Sequence, residues 1–209
     1  MSILVAVITI VVFAYLCLCI ITSLPWLRKK HGACFAQAEQ KHMITIDDMP
    51  DEAADEILDV LHEHSLKAVI FVVGSRIEKD TALLKRIIAD GHTLGNHSYM
   101  HYFFNPLSTA VITNGFTMND DVLNRSGLST PHIRTPHGYQ TPGLMRWCRE
   151  NGKTFWYWDI MLWDFLPVPF SVLRRQADRF IKQGGILCMH GRRRSVKVLR
   201  YIAERIVTA

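Results

Sequence analysis

From residue 42 onward, short apolar runs alternate with amphipathic stretches of helical period, and this alternation constrains the fold more than any other feature of the 209 residues. Strands are expected near 42–46, 67–74, 132–135, 154–159 and 185–189, and Gly91 and Gly95 bracket one more short apolar run. Helices are expected over 52–64, 78–90, 107–125, 141–151, 170–183 and 194–207; in the first, Ala53, Ile57, Leu58 and Leu61 share one face. Helical stretches placed between successive strands imply a parallel sheet covered by helices, open or closed into a barrel. Such folds gather functional residues at the C-terminal ends of their strands.

Residues 1–27 carry no charged side chain and are rich in Ile, Val, Leu, Phe and Cys. That run is long enough to cross a bilayer as one helix. Trp26 would sit at the interface, with Arg28-Lys29-Lys30 just beyond it. A cleaved leader fits less well, because no basic segment precedes the run and Ala36-Gln37-Ala38 lies beyond the charged cluster. The expected organisation is a single N-terminal transmembrane anchor (1–27), a juxtamembrane linker (28–41) and one catalytic domain (42–209). The flanking cations predict a cytoplasmic domain. Of the cysteines, Cys17 and Cys19 lie in the apolar run, and Cys34, Cys148 and Cys188 show no disulfide or metal spacing. The net charge of +5 gathers toward Arg192-Arg193-Arg194, Lys197, Arg200 and Arg205. Without aromatic-interleaved basic motifs, nucleic acid is not an expected partner, whereas anionic membrane lipid is.

Asp47-Asp48 and, some fifty residues later, His97 and His101 carry the chemistry. Imidazoles at i and i+4 on a helical turn face the same way and could grip one divalent ion, zinc being the first expectation, with Asp48 as third ligand and positions left open for water. Neighbouring residues of a strand point to opposite sides, so Asp47 would be left to act as a general base. The bland alternative is that Asp48 or Asp51 caps the helix beginning near Glu52. Two histidines and one carboxylate also form the ligand set of non-haem iron oxygenases.

Thr45-Ile46-Asp47-Asp48-Met49-Pro50, His97 to His101, Arg134-Thr135-Pro136-His137-Gly138, Trp158-Asp159 with Asp164-Phe165, and Gly185 to His190 together resemble the five ordered motifs of the polysaccharide deacetylase family, the NodB-homology or carbohydrate esterase 4 group. The resemblance implies a distorted (β/α) barrel with fewer than eight complete units. It implies a metal held by Asp48, His97 and His101, with Asp47 as base and His190 as acid. Arg134 would orient Asp47, and Asp164 would hold His190. The backbone N–H of His137 would help bind the oxyanion, and Cys188 stands where the family's leucine lines the acyl pocket. From their positions in this sequence, Tyr99 and Tyr102, flanking the histidines, and Trp163, beside Asp164, are expected to line the groove. The implied substrate is an N-acetylated amino sugar, polymeric or lipid-linked, and most members act outside the cytoplasm, against the charge cue. The chain departs from the pattern at Met49 (usually Gly), Met161 (usually Asp), Phe165 (usually Trp), His137 (often Tyr), Cys188 (usually Leu) and Gly191 (often Asp). Those departures leave a second expectation open, a catalytically impaired, membrane-anchored glycan-binding descendant of the same fold.

Overall fold

The computed structural model describes residues 34–101, 108–138 and 140–206, together with Val7. The expected anchor apart from Val7, residues 28–33 of the linker, and Tyr102 lie outside the described residues. Among the described residues no helix is long and apolar enough to cross a membrane. The elements run β1 (His42–Met49), α1 (Ala54–Glu63), β2 (Ala68–Val72), α2 (Gly74–Ile77), α3 (Thr81–Ala89), β3 (Thr93–Asn96), α4 (Thr109–Arg125), β4 (His132–Ile133), α5 (Pro142–Glu150), β5 (Thr154–Phe155), β6 (Ile160–Met161), α6 (Phe170–Gln183), β7 (Gly185–His190) and α7 (Arg193–Ile206). Helix starts follow local chemistry. Asp80 accepts from the Leu83 amide ahead of α3, and Thr141 accepts from the Leu144 amide ahead of α5, whose first turn holds Pro142.

All pairings are parallel, and the seven strands stand in the order β5-β4-β3-β2-β1-β7-β6. The two outermost strands, β5 and β6, are consecutive in sequence, with only residues 156–159 between them. Laid flat, a seven-strand sheet would hold its edges about 29 Å apart. The five Cα steps from Phe155 to Ile160 reach at most about 18 Å. The sheet therefore has to curl into a partial barrel. The run 154–159, expected as one strand, is in fact the short strand β5 followed by a four-residue bridge, 156–159, that crosses the gap to β6 at the opposite end of the sheet. Trp156 N–H donates to Ile133 O on one side, and Asp159 N–H to Ile186 O on the other, both at 2.8 Å. Packed structure also starts earlier than residue 42. Cys34 and Phe35 are buried, and Phe35 bridges to Phe155 beyond the β5 edge.

β1 and β2 are buried along most of their length, as parallel strands covered on both faces are. The main core joins them to the apolar faces of α1, α3, α6 and α7. Gly95 lies within β3, opposite Phe71 in the β2–β3 register. A Cβ there would come within 2.3 Å of the Phe71 ring. Gly95→Ala is therefore expected to cost about 1–3 kcal/mol by overpacking, read as a lower denaturant midpoint at unchanged m-value; an unchanged midpoint would show that the ring has room to move.

Candidate active site

The alternation rule would send Asp47 and Asp48 to opposite faces, but β1 is irregular there. Ile46 pairs with Ile70 and Met49 with Val72, so three steps on β1 meet two on β2. Asp48 takes φ of 65°, and such a bulge re-aims a side chain at a strand's end. Neither aspartate caps α1, whose N-cap is Ala53 with no side-chain bond, so the capping alternative fails for Asp48 and Asp51 alike.

Asp48 Oδ1 lies 3.3 Å from His97 Nε2 and 3.0 Å from His101 Nε2. The histidines do not reach it from a helical turn. Both lie in the loop after β3, where Ser98 takes φ of 69°. Buried Asn119 of α4 holds that loop, its Nδ2 lying 2.8–3.0 Å from Val72 O, Asn96 Oδ1 and Ser98 O. Asn96 Oδ1 accepts in turn from Ser98 N–H at 2.8 Å.

These atoms fit a cation. His97 Nδ1 is 2.9 Å from Arg134 O, and a carbonyl only accepts, so the proton sits on Nδ1. In neutral His97 the Nε2 lone pair then faces a buried carboxylate oxygen that has no hydrogen-bond partner of its own. Two lone pairs at that separation repel unless a positive ion lies between them. Asp48, His97 and His101 each offer one ligand atom, all within 4.8 Å of one another. Burial alone would raise the Asp48 carboxyl, but the two imidazoles outweigh it and hold Asp48 far below the usual carboxylate range.

Asp47 belongs to a different set. Arg134, fully buried, donates from Nη1 to Asp47 Oδ1 at 2.7 Å and to Thr45 Oγ1 at 2.7 Å. Its remaining bonds go to Trp156 O at 3.3 Å and Tyr157 O at 3.0 Å, in the segment that bridges the sheet edges. The guanidinium carbon lies 4.4 Å from the centre of the Phe71 ring. Burial raises Asp47, and Arg134, His97 and His190 more than offset it, so the carboxyl stays below its ordinary value.

His190, at the end of β7, directs Nδ1 to Asp164 Oδ1 at 2.7 Å. Asp164 Oδ2 also accepts from His190 N–H at 2.7 Å and from Ser195 Oγ at 2.6 Å. This arrangement leaves Nε2 as the atom that exchanges a proton. Burial would lower His190, but the Asp164 bond and charge prevail and push it up to about 9. Asp47 and His190 are register partners on β1 and β7, and one ligand atom each from Asp47, Cys188 and His190 lies within 4.8 Å of the others.

The remaining expected residues are more scattered. His137, at φ 58°, sits in a 3-10 turn over Pro136–Gly138, its ring 4.7 Å from that of His101. Trp163 is 41% exposed and packs 6.0 Å from Phe165, whose ring lies 5.0 Å from His190. Tyr99 commits its hydroxyl to Glu78 at 3.1 Å, and its ring lies against the Gly74 backbone. Cys188 is fully buried with Sγ 3.3 Å from Asp47 Oδ2. Cys188 and Asp47 project from the same face of the sheet on the adjacent strands β7 and β1, so the thiol meets the candidate base. Met49 is buried in the main core, and a Cβ on Gly191 would lie 2.8 Å from its sulfur. The two departures match in size, the larger residue at 49 using the room left by the smaller at 191. The bracing contacts of Thr45, Ser195, Asn96 and Asn119 carry no signal in the sequence, since a hydroxyl or amide that braces a distant residue has no local spacing.

The polysaccharide deacetylase family model matches residues 36–156. A peptidoglycan-N-acetylglucosamine deacetylase of Bacillus cereus is 28% identical over 173 residues, covering 81% of this chain and 62% of that protein. The crystal structure of the Bc1960 peptidoglycan N-acetylglucosamine deacetylase superposes with a TM-score of 0.75 at 26% identity, over 83% of this chain and 86% of that one. The fold is also that of BA3943, a carbohydrate esterase 4 pseudoenzyme from Bacillus anthracis, with a TM-score of 0.72 at 21% identity over 80% of this chain and 61% of that one. Carried by a family match over more than half its length and by the same curled parallel sheet, this chain belongs to the polysaccharide deacetylase family.

Proposed function

We propose that the protein is a metal-dependent hydrolase that removes N-acetyl or related acyl groups from amino-sugar residues of a polysaccharide, oligosaccharide or lipid-linked glycan. The observation that carries this reading is the division of labour at the strand ends. Three ligand atoms converge at Asp48, His97 and His101, while the candidate base and acid are each held by a separate charged partner. A divalent ion at the first cluster, zinc by the nitrogen and oxygen donors offered, supplies Lewis-acid polarisation of the acyl carbonyl and acidifies water.

The protein's own groups do the rest. Asp47, kept ionised and oriented by Arg134, takes the proton of the attacking water. His190 Nε2, charged at neutral pH, gives a proton to the departing amine. Without that proton the amine is too poor a leaving group. The opposed environments of the two residues keep one ionised and the other protonated at the same pH. The aromatic edge of Trp163 and Phe165 is suited to a sugar face, and the backbone at His137 to the oxyanion. Oxygenase chemistry gives no role to the Arg134–Asp47 and Asp164–His190 pairs. The burial of Met49 without disturbance of the ligand cluster argues against an impaired descendant. Residues 1–27 are proposed to anchor the domain at a membrane; Arg28-Lys29-Lys30 favours a cytoplasmic domain, and a wall polymer substrate favours the opposite side.

The test is acetate release from short N-acetylglucosamine oligomers by full-length protein, zinc-loaded or stripped by chelator. Release is expected only with metal and is expected to return when zinc is restored. Equal release from stripped protein would remove the metal from the reading, and none from either sample would favour a binding role.

Acid catalysis also fixes a pH dependence. With His190 raised to about 9, the competent form is present at neutral pH, and kcat/KM is expected to fall as pH rises through that value. The stability this group contributes is likewise complete below its unfolded pKa and lost through about pH 9. Asp164→Asn removes the charge that raises it and leaves Nδ1 only a neutral acceptor, so the basic limb is expected to move to lower pH. A limb that stays in place would assign it to another group.

A further inference from the structure

Among the described residues, Cys188 is the one buried thiol that faces the reacting groups. Residues 188 and 190 are i and i+2 on β7 and so project from the same face, toward Asp47 on the adjacent strand β1. Asp47 Oδ2 and Cys188 Sγ are 3.3 Å apart, and the three side chains bring oxygen, sulfur and nitrogen ligand atoms within 4.8 Å of one another. A tetrahedral zinc ion, about 2.3 Å from sulfur and 2.0–2.1 Å from nitrogen or oxygen, separates its ligands by roughly 3.3–3.6 Å. The oxygen–sulfur pair already has that separation, and the third ligand must close by at most about 1.5 Å. His190 is also braced as a metal-ligating histidine is, with its other nitrogen on a carboxylate.

We propose that Asp47, Cys188 and His190 form a second, weaker site for a thiophilic divalent cation such as zinc or cadmium, and that filling it inhibits the enzyme. The inhibitory part rests on the reading of Asp47 as base and His190 as acid, since one ion would occupy both at once. Metal entry displaces the thiol proton and the His190 Nε2 proton. Two positive charges leave and two arrive, so the net charge of the pocket beside the first cluster is unchanged. Desolvation explains why this site is the weaker one. Burial and the Asp47 carboxylate push the Cys188 thiol well above its ordinary range, and Arg134 stays bound to the other Asp47 oxygen. The leucine usual at position 188 in the family has no donor atom, so the device belongs to this chain's own residue.

The experiment uses full-length protein, with zinc and cadmium as probes. Equilibrium dialysis against rising zinc is expected to give one ion per chain and then a second, and cadmium is expected to produce an ultraviolet thiolate charge-transfer band. Cys188→Leu should bind one zinc and lose the Cys188 share of the band. Because a larger side chain could disturb the core, Cys188→Ser, of nearly unchanged size, is run alongside. Acetate release by the unmodified protein should rise and then fall with zinc, whereas in either variant the falling limb should shift to higher zinc, by more than the roughly 10–100-fold that loss of an outer hydrogen-bond partner costs a metal site. A single zinc at saturation with no difference band between unmodified protein and variants would overturn the proposal, as would a falling limb that the variants leave in place. A second ion and a Cys188-dependent band without acetate release at any zinc level would uphold the site and instead sink the deacetylase reading.

Discussion

Asp47→Asn is expected to lower kcat by about 10²–10⁴-fold, the usual contribution of a positioned general base, with one ion still bound at the first cluster. The substitution is close to isosteric. The amide oxygen can still accept from Arg134 Nη1, now at 2.7 Å from Asp47 Oδ1, so the guanidinium keeps a partner. What disappears is the charge that accepts the proton of water. Asp48 is set apart by the bulge and bonded to neither Arg134 nor Cys188, so the cluster at His97 and His101 should keep its affinity. The check is metal content by elemental analysis beside single-turnover acetate release. Loss of the ion together with activity would show that Asp47 is itself a ligand and that the roles of the two aspartates are assigned wrongly.

Arg134→Leu is expected to be the most damaging single change for stability, by about 3–5 kcal/mol, as when one partner of a buried ion pair is removed. Four acceptors lose their donor at once: Asp47 Oδ1, Thr45 Oγ1 and the carbonyls of Trp156 and Tyr157. Two of those carbonyls lie in the segment spanning the gap between β5 and β6, so the curl of the sheet is loosened along with the site. Burial then acts on Asp47 unopposed by its strongest partner. Its carboxyl should rise, and any surviving activity should need higher pH. In the unmodified protein the depressed carboxyl contributes stability above the unfolded carboxylate pKa, about 3.9, and that stability fades as pH falls through the folded value. Chemical denaturation and the acid limb of the pH profile measure the two effects separately. A loss below about 1 kcal/mol would show that water replaces the guanidinium freely.

The sheet strands and helices were legible because apolar period and length carry them; α6 and α4 end where the pattern stops, at Gln183 and Arg125. Motif order picks out charged residues that the structure gathers at the candidate site, among them the Arg134–Asp47 and Asp164–His190 pairs. Two local readings failed for physical reasons. His97 and His101 meet through a loop braced by Asn119, not through helical spacing, because β3 ends at Asn96 and the left-handed Ser98 turns the chain. The run 154–159 is dominated by aromatic residues, Phe155 to Trp158, and only tertiary pairing shows that it leaves one edge of the sheet and leads to the other. Cys188 faces a carboxylate across adjacent strands, a relation fixed by register that no window along the sequence contains.

The pairing of β1 with β7 sets a timetable for the newborn chain. Asp48, His97, His101 and Arg134 have all been synthesised by residue 134, so a cation-holding half can assemble on β1, β2, β3 and β4 alone. Residues 185–190, which cover the other side of β1 and bring His190, come some 140 residues after β1 itself; at ordinary translation rates that is an interval of roughly 7–30 s. Throughout it β1, an interior strand of the finished sheet, is an uncovered apolar edge, the kind of surface that recruits other chains. Aggregation during synthesis, more than unfolding of the mature protein, is where slow translation of the α5–α6 region or a stop before β7 would be felt.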